Sequence, residues 1–172
     1  MRSWFASLLV ALLVLAPCTA QSASAMSAAS VGVGPHGYDF LVGSWTCKNN
    51  MPSSMGGPAT TTATIAHSAN GTLSFHATGT GFDAMGYIVY APKTKTWWNP
   101  SSASNGSYGT ESTHQTGKKT VWSGPFVDPS LGKAIQARDT YTFESGTTYT
   151  DLYQVKRGGT WKTEGDSTCT KT

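Results

Sequence analysis

The sequence lacks the short motifs that mark the common enzyme classes. It has no Gly-x-Ser-x-Gly nucleophile elbow, no His-Glu-x-x-His zinc motif, no phosphate-binding loop, no dinucleotide fingerprint and no Cys-x-x-Cys pair. Charge is also scarce, with 12 Lys and Arg against 9 Asp and Glu, and the basic residues are scattered rather than clustered. We therefore expect no catalytic residues that a motif would reveal, and no nucleic-acid partner.

Long hydrophobic runs are missing as well, except at the N-terminus. There Arg2 supplies a positive charge, residues 4–16 form an apolar run too short to span a bilayer, and small residues follow. This pattern predicts a secretory signal peptide over residues 1–25, and it leaves cleavage open between Ala20 and Ala25. We therefore expect a secreted or periplasmic protein that is not transmembrane.

Cysteine occurs only three times in the chain. Cys18 lies in the predicted signal peptide, and Pro17 before it departs from the small residue that usually precedes a lipidated cysteine, so we expect no lipid anchor there. Cleavage leaves Cys47 and Cys169, which are expected to form a disulfide in an oxidising compartment. The alternative is a pair of buried free thiols.

Helical spacing of apolar residues is absent from residue 26 onward, where threonine is the commonest residue. Aromatic and β-branched residues are frequent there, and turn pairs such as Asn70-Gly71 and Gly158-Gly159 recur at short intervals. The pattern predicts a flexible leader at 26–37 and an all-β domain at 38–172. The predicted strands cover residues 41–49, 59–68, 72–79, 85–91, 96–101, 107–115, 119–124, 134–144, 147–156 and 160–170.

The first and last predicted strands are expected to lie side by side and to close a single antiparallel up-and-down β-barrel of about ten strands. Cys47 shares a strand face with Trp45, so an indole packed inside brings the thiol inside too. Two-residue turns at Ser145-Gly146 and Gly158-Gly159 would place Cys169 on the inner face as well. A barrel of this size either packs its interior solid or holds a small ligand there.

Alternation along the predicted strands selects residues for the interior. On the predicted register Asp139 is the one charged side chain that points inward. It would either accept a hydrogen bond from a ligand or be solvated at the open end of the barrel. Trp97 and Trp98 are adjacent and point to opposite faces, so one of them is expected inside. The candidate ligand-binding residues are Trp45, Phe75, Trp97, Asp139, Tyr141, Phe143, Leu152, Gln154 and Trp161.

Residues 51–58 follow the first strand, and their prolines and glycines exclude a central strand. Met51 and Met55 are flexible apolar side chains suited to covering an irregular ligand. The segment is therefore interpreted either as a lid over the open end of the barrel or as a plain loop.

Four histidines raise the question of a metal site. A hairpin at Asn70-Gly71 places His67 and His76 as diagonal neighbours on the outer face, with no third ligand in view. We therefore expect solvated histidines and no metal.

The lead-in Asp39 to Gly43, the strand Gly43-Ser44-Trp45-Thr46-Cys47 and the ending Asp166-Ser167-Thr168-Cys169 resemble the lipocalin-like, or calycin, barrels. They resemble most closely a family of secreted bacterial proteins of unknown function with that barrel. The resemblance implies binding of a small, partly hydrophobic molecule. Nitrobindin barrels are similar in shape and bind haem through one histidine, but their glycine-rich opening motif is missing here, so no cofactor is expected.

Two other functions stay open. One is a barrel enzyme of the isomerase, cyclase or haem-dependent type that uses inward polar residues. The other is a solid barrel acting as a protein-interaction or inhibitor module. An interior volume below about 300 Å³ would favour the solid barrel.

Overall fold

Ten strands follow one another along the part of the chain that the computed structural model describes, which is residues 28–51, 58–129 and 131–172. Short 3-10 turns at Asp39–Leu41 and Ala69–Gly71 precede β1 and β3. No helix among these residues is long and apolar enough to cross a membrane. The strands are β1 (Gly43–Asn50), β2 (Thr60–His67), β3 (Leu73–Gly79), β4 (Phe82–Ala91), β5 (Thr96–Ala103), β6 (Tyr108–Thr113), β7 (Lys119–Asp128), β8 (Lys133–Ser145), β9 (Thr148–Arg157) and β10 (Thr160–Lys171).

The sheet closes on itself because β1 pairs with β10. Each strand is antiparallel to its neighbours in the chain, and the order β1-β10-β9-β8-β7-β6-β5-β4-β3-β2 is a closed barrel. Cys47 lies directly opposite Cys169 in the β1–β10 ladder, and the two form a disulfide. The predicted all-β barrel, its strand number, its closure by the first and last strands and its disulfide are confirmed.

The Gly-x-Trp pattern at the start of β1 determines the packing at the seam, which is the β1–β10 ladder that closes the barrel. Trp45 is 1% exposed, and its indole N–H donates to the Leu41 carbonyl at 2.7 Å. The Lys171 ammonium lies 5.5 Å from the centre of the Trp45 ring and donates to the Phe40 carbonyl at 3.1 Å. Gly43 has a φ of +134°, and a Cβ there would come within 2.7 Å of the Lys171 side chain. The positive φ, rather than the contact with the flexible Lys171 side chain, therefore favours glycine two residues before the tryptophan.

The segment before β1 plugs one end of the barrel. The Val31 and Gly117 backbones exchange hydrogen bonds of 3.0 and 2.9 Å, and Val31 is buried. The Tyr38 ring lies 4.7 Å from the Trp97 ring and 5.5 Å from the Trp122 ring. Within the predicted leader, Val31 and Gly37 are buried while Val33 is 81% exposed, and the bounds of the leader stay a prediction. The predicted signal peptide lies outside the described residues.

A β-bulge decides which side chains of β9 face inward. The predicted turn pairs Phe143 with Thr148, but the structure pairs Phe143 with Tyr149, because the register shifts between Phe143 and Ser145. The extra residue, Glu144, moves β9 by one position and exchanges its two faces. A second shift, between Thr163 and Gly165, restores the predicted inward direction of Cys169.

Replacing both Cys47 and Cys169 by serine is expected to lower the free energy of unfolding by up to about 5 kcal/mol, because the bridge closes a loop of 122 residues that otherwise gains entropy on unfolding. Guanidinium denaturation under oxidising conditions measures the difference. Reducing the wild-type protein should give the same decrease, and reductant should not affect the double variant. A double variant as stable as the oxidised wild type would contradict this account of the seam.

Candidate functional site in the barrel interior

Two adjoining cavities occupy the interior. The inner cavity, next to the plugged end, has a volume of about 200 Å³. The outer cavity, towards the opposite end, has a volume of about 290 Å³. Asn49, Thr61 and Phe75 line both, so these three side chains form the boundary between them. The inner cavity is lined further by Ala63, Ala77, Asn99, Tyr141, Tyr149 and Asp151, and the outer one by Met51, Phe82, Asn105, Phe126, Asp128 and Tyr153.

Several predicted site residues lie in or beside these cavities. Tyr141 and Phe143 line the inner cavity, and the Phe75 ring separates the two spaces. The Phe75 ring fits because its neighbour on β4 is Gly86, where a Cβ would come within 2.5 Å of the ring.

Trp45 and Trp97 are buried but belong to the aromatic core at the plugged end. They support the floor beneath the inner cavity. Trp98 is 41% exposed on the outer face, so Trp97 is the member of the pair that points inward.

Three residues that were predicted to face the interior lie on the outer face instead: Leu152, Gln154 and Trp161. Leu152 is 36% exposed. The Arg138 guanidinium stacks 4.4 Å from the centre of the Trp161 ring, and its Nε donates to Gln154 Oε1 at 2.7 Å. The Glu144 bulge is the cause, since it reverses β9 and the start of β10 relative to the predicted register.

Met51 lines the outer cavity, as a residue of a lid would. Met55 lies outside the described residues, so the lid itself stays a prediction.

The histidines lie away from both cavities. His67 and His76 are exposed, and His76 Nε2 is 3.0 Å from the Asp83 carboxylate. His36 pairs with Asp39 at 2.9 Å, and His114 Nδ1 lies 3.2 Å from the Thr96 hydroxyl. Among the described residues, no three His, Cys, Asp or Glu side chains are arranged to hold a metal ion. No histidine is therefore placed to ligate a haem inside the barrel.

The predicted inward carboxyl, Asp139, interacts with two further carboxyls, Glu111 and Asp151, while Asp128 lines the outer cavity. Glu111 on β6 is 7% exposed, and Asp151 on β9 lines the inner cavity. In the strand ladders Asp139 lies between Trp122 and Tyr153, and Asp151 lies between Tyr141 and Ser167. The folded chain thus concentrates three acidic side chains in a largely apolar interior.

Burial controls the protonation of these acids. It raises the pKa of the Glu111 carboxyl far above its usual range, and the charge and hydrogen bond of Asp139 raise it further. Burial also raises the pKa of Asp139, although the hydrogen bond from Glu111 partly offsets this effect. The two carboxyls are hydrogen-bonded to each other, so they share a proton and titrate as a coupled pair. Burial, followed by the charges of Asp139 and Asp166, raises the pKa of Asp151 well above its ordinary value.

Several polar atoms of this region have no hydrogen-bond partner among the described residues. They are Asn99 Oδ1, Glu111 Oε1, Asp151 Oδ1 and the Tyr153 hydroxyl. Each such group costs about 1–3 kcal/mol when it is buried unpaired. A bound molecule with matching donors would remove that cost, so these atoms mark the interior as the candidate site.

Reasoning from sequence missed Glu111 and Asp151. The predicted two-residue turn at Ser145-Gly146, which contains no bulge, places Asp151 on the outer face, yet Asp151 shares its face with Tyr149 and Tyr153 in the structure. Two tyrosines flanking one aspartate at period two are the signal for a half-apolar inner face. Glu111 lies in the polar stretch Thr110-Glu111-Ser112-Thr113, which carries no comparable signal.

No protein-family model matches the sequence, and no curated protein matches it. Among solved structures, the chain is similar to Rv2717c from M. tuberculosis, with a TM-score of 0.58 and 13% identity over 82% of this chain and 99% of that one. The redesigned β-barrel mFAP1 bound to DFHBI has a TM-score of 0.34 and 14% identity over 78% of this chain and 96% of its own. The first likeness supports the barrel fold alone, and the second is too weak to support an argument.

The buried acids predict that stability falls as pH rises. Above pH ~4 the unfolded chain releases protons that the folded state retains, so unfolding becomes more favourable until the raised pKa values are passed. Each group contributes a slope of up to about 1.4 kcal/mol per pH unit within its window. Glu111→Gln should flatten this dependence and raise stability at pH 7, because the amide is neutral at every pH and can still donate to Asp139.

Urea denaturation of the wild type and the variant from pH 4 to 8 measures the effect. Glu144→Gln, at an exposed position of β8, is the matched control and should leave the slope unchanged. Wild-type stability that increases from pH 4 to 7 would refute the assignment of raised pKa values.

Proposed function

We propose that this protein binds a small, partly hydrophobic molecule inside the barrel. The observation that supports the proposal best is the pair of adjoining cavities with apolar walls and a few unpartnered polar atoms. Small-molecule sites combine these two features, because apolar walls supply most of the binding free energy and sparse polar groups fix orientation.

The volumes suit a compact ligand. An apolar cavity of about 150 Å³ holds a benzene molecule in another protein, and the inner cavity alone is larger, at about 200 Å³. Together the two cavities exceed the lower bound of about 300 Å³ for typical ligand sites. This favours a container over a solid barrel that acts through its outer surface.

Apolar contact alone would bind such a ligand weakly. Burying about 300 Å² of apolar surface contributes roughly 7 kcal/mol, and association opposes this with at least about 4 kcal/mol. Directed hydrogen bonds are needed to improve affinity. The unpartnered atoms of Asn99, Asp151 and Tyr153 are available for such bonds, whereas the predicted site residue Gln154 lies on the outer face.

An enzymatic function is the second candidate, and the carboxyl pair supports it. Glu111 and Asp139 form a hydrogen-bonded carboxyl pair, and Asp139 lies between Trp122 and Tyr153, which line the inner and the outer cavity. Paired carboxyls of this kind are suited to general acid–base catalysis. Such an enzyme would use the same cavities, so ligand binding is the first test for both candidates.

We propose further that the protein is exported to an oxidising compartment, secreted or periplasmic, by a signal peptide at residues 1–25. The disulfide supports this location, since such bonds persist where thiols are not kept reduced. We also propose kinship with the lipocalin-like barrels and with the secreted bacterial family that the two ends of the chain resemble, supported by the closed ten-strand barrel.

Toluene, indole and 2-phenylethanol should each bind with a dissociation constant in the millimolar range, about 6 mM for toluene, which corresponds to the roughly 3 kcal/mol that apolar burial leaves after the cost of association. Isothermal titration calorimetry and ligand-observed NMR measure the affinities. Ala63→Phe should weaken binding at least tenfold, because Ala63 lines the inner cavity and the added ring would fill it.

The matched control is Ala66→Phe, which adds the same ring at an exposed position of the same strand and should leave affinity unchanged. Failure of all three compounds to bind the wild type, or equal binding by the Ala63 variant, would refute interior binding. Native mass spectrometry of protein purified from its own source would identify a retained ligand.

A further inference from the structure

We propose that the barrel interior selects a cation: a primary amine on a one- or two-ring apolar body, with its ammonium group against Asp151 and its body in the inner cavity. This inference rests on the proposed binding function and adds the chemical class of the ligand.

Asp151 is placed to receive such a group. It points inward from β9, between Tyr141 on β8 and Ser167 on β10, and lines the inner cavity. Its Oδ1 atom is buried and has no hydrogen-bond partner among the described residues. The carboxyl therefore has a free acceptor atom beside an empty volume large enough for a small ring compound.

The other unpartnered atoms point to the same kind of ligand. Asn99 Oδ1 belongs to a side chain of the inner cavity, and the Tyr153 hydroxyl, on a side chain only 8% exposed, belongs to the outer one. Carboxylate and amide oxygens only accept hydrogen bonds, and a tyrosine hydroxyl can accept one as well. A ligand that satisfies them must be rich in donors, and an ammonium group offers three N–H donors and no acceptor.

The charge of the interior favours a cation over an anion. Glu111, Asp139 and Asp151 interact through their charges, and no salt bridge within the described part of the chain includes any of them. The nearby guanidinium, Arg138, lies on the outer face against Trp161. A carboxylate ligand would add a negative charge beside these acids in a desolvated space. An ammonium instead stabilises the ionised form of Asp151, which burial alone disfavours, and supplies its counter-charge.

The walls around Asp151 suit the remainder of the molecule. The Tyr141 and Tyr149 rings pack 5.9 Å apart on the neighbouring strands β8 and β9 and form one wall of the inner cavity, and the Phe143 ring is 6.0 Å from that of Tyr149. Ala63 and Ala77 line the same cavity with small side chains that leave space. Aromatic faces attract cations as well as apolar rings, so the walls and the carboxyl favour the same ligand.

Three ligands of matched shape test the inference by calorimetry at pH 7: 2-phenylethylamine, 2-phenylethanol and 3-phenylpropanoate. We expect the amine to bind at least tenfold more tightly than the alcohol, and the carboxylate at least tenfold more weakly. Equal binding of amine and alcohol would overturn the inference and leave interior binding standing. Absence of binding by all three would refute the proposed function as well.

The Asp151→Asn variant tests the anchor, because asparagine keeps the size and an acceptor oxygen but loses the charge. In this variant the affinity for 2-phenylethylamine should fall at least tenfold, to that for 2-phenylethanol. The affinity for 2-phenylethanol should stay within twofold of its wild-type value. Asp83→Asn, at an exposed position on the outer face of β4, is the matched control and should preserve the amine preference. An amine preference that survives in Asp151→Asn would show that Asp151 is not the anchor. If that variant does not fold, the wild-type ranking of the three ligands still decides the inference.

Discussion

The pairing of the first strand with the last is the constraint on which the rest of this structure depends. Ten strands in an open sheet would leave two unpaired edges, and the β1–β10 ladder removes both. The disulfide fixes its register, so that Lys171 covers Trp45 and Asn49 lies opposite Ser167. From Ser167 a row of inward polar residues continues to Asp151 and Tyr141. The seam that closes the barrel therefore also builds one wall of the inner cavity.

The interior is less stable than a packed apolar core of the same volume would be. Buried carboxyls that lack a counter-charge, and cavities beside them, both reduce the free energy of unfolding. The barrel tolerates them because its stability is concentrated elsewhere, in the aromatic cluster of the plugged end and in the disulfide. One end of the barrel is packed, and the other is hollow and acidic. We expect this division in a barrel that binds a ligand, because the ligand would supply the hydrogen bonds that the interior lacks.

Period-two alternation predicted the strands, their number and the inward direction of Asp139, because each of these follows from local residue pattern. It failed on β9, where the Glu144 bulge adds a residue that alternation does not reveal, and Leu152 and Gln154 were exchanged for Asp151 and Tyr153.

The sequence by itself determined the all-β class, the up-and-down order and the cysteine pairing, since these depend on alternation, on turn residues and on there being two cysteines after the predicted signal peptide. Only the tertiary structure decided which acids share the interior. Glu111, Asp139 and Asp151 lie on three different strands, and their proximity depends on register shifts and on closure of the barrel. Burial then sets their protonation, and burial is a property of the whole fold rather than of any one strand.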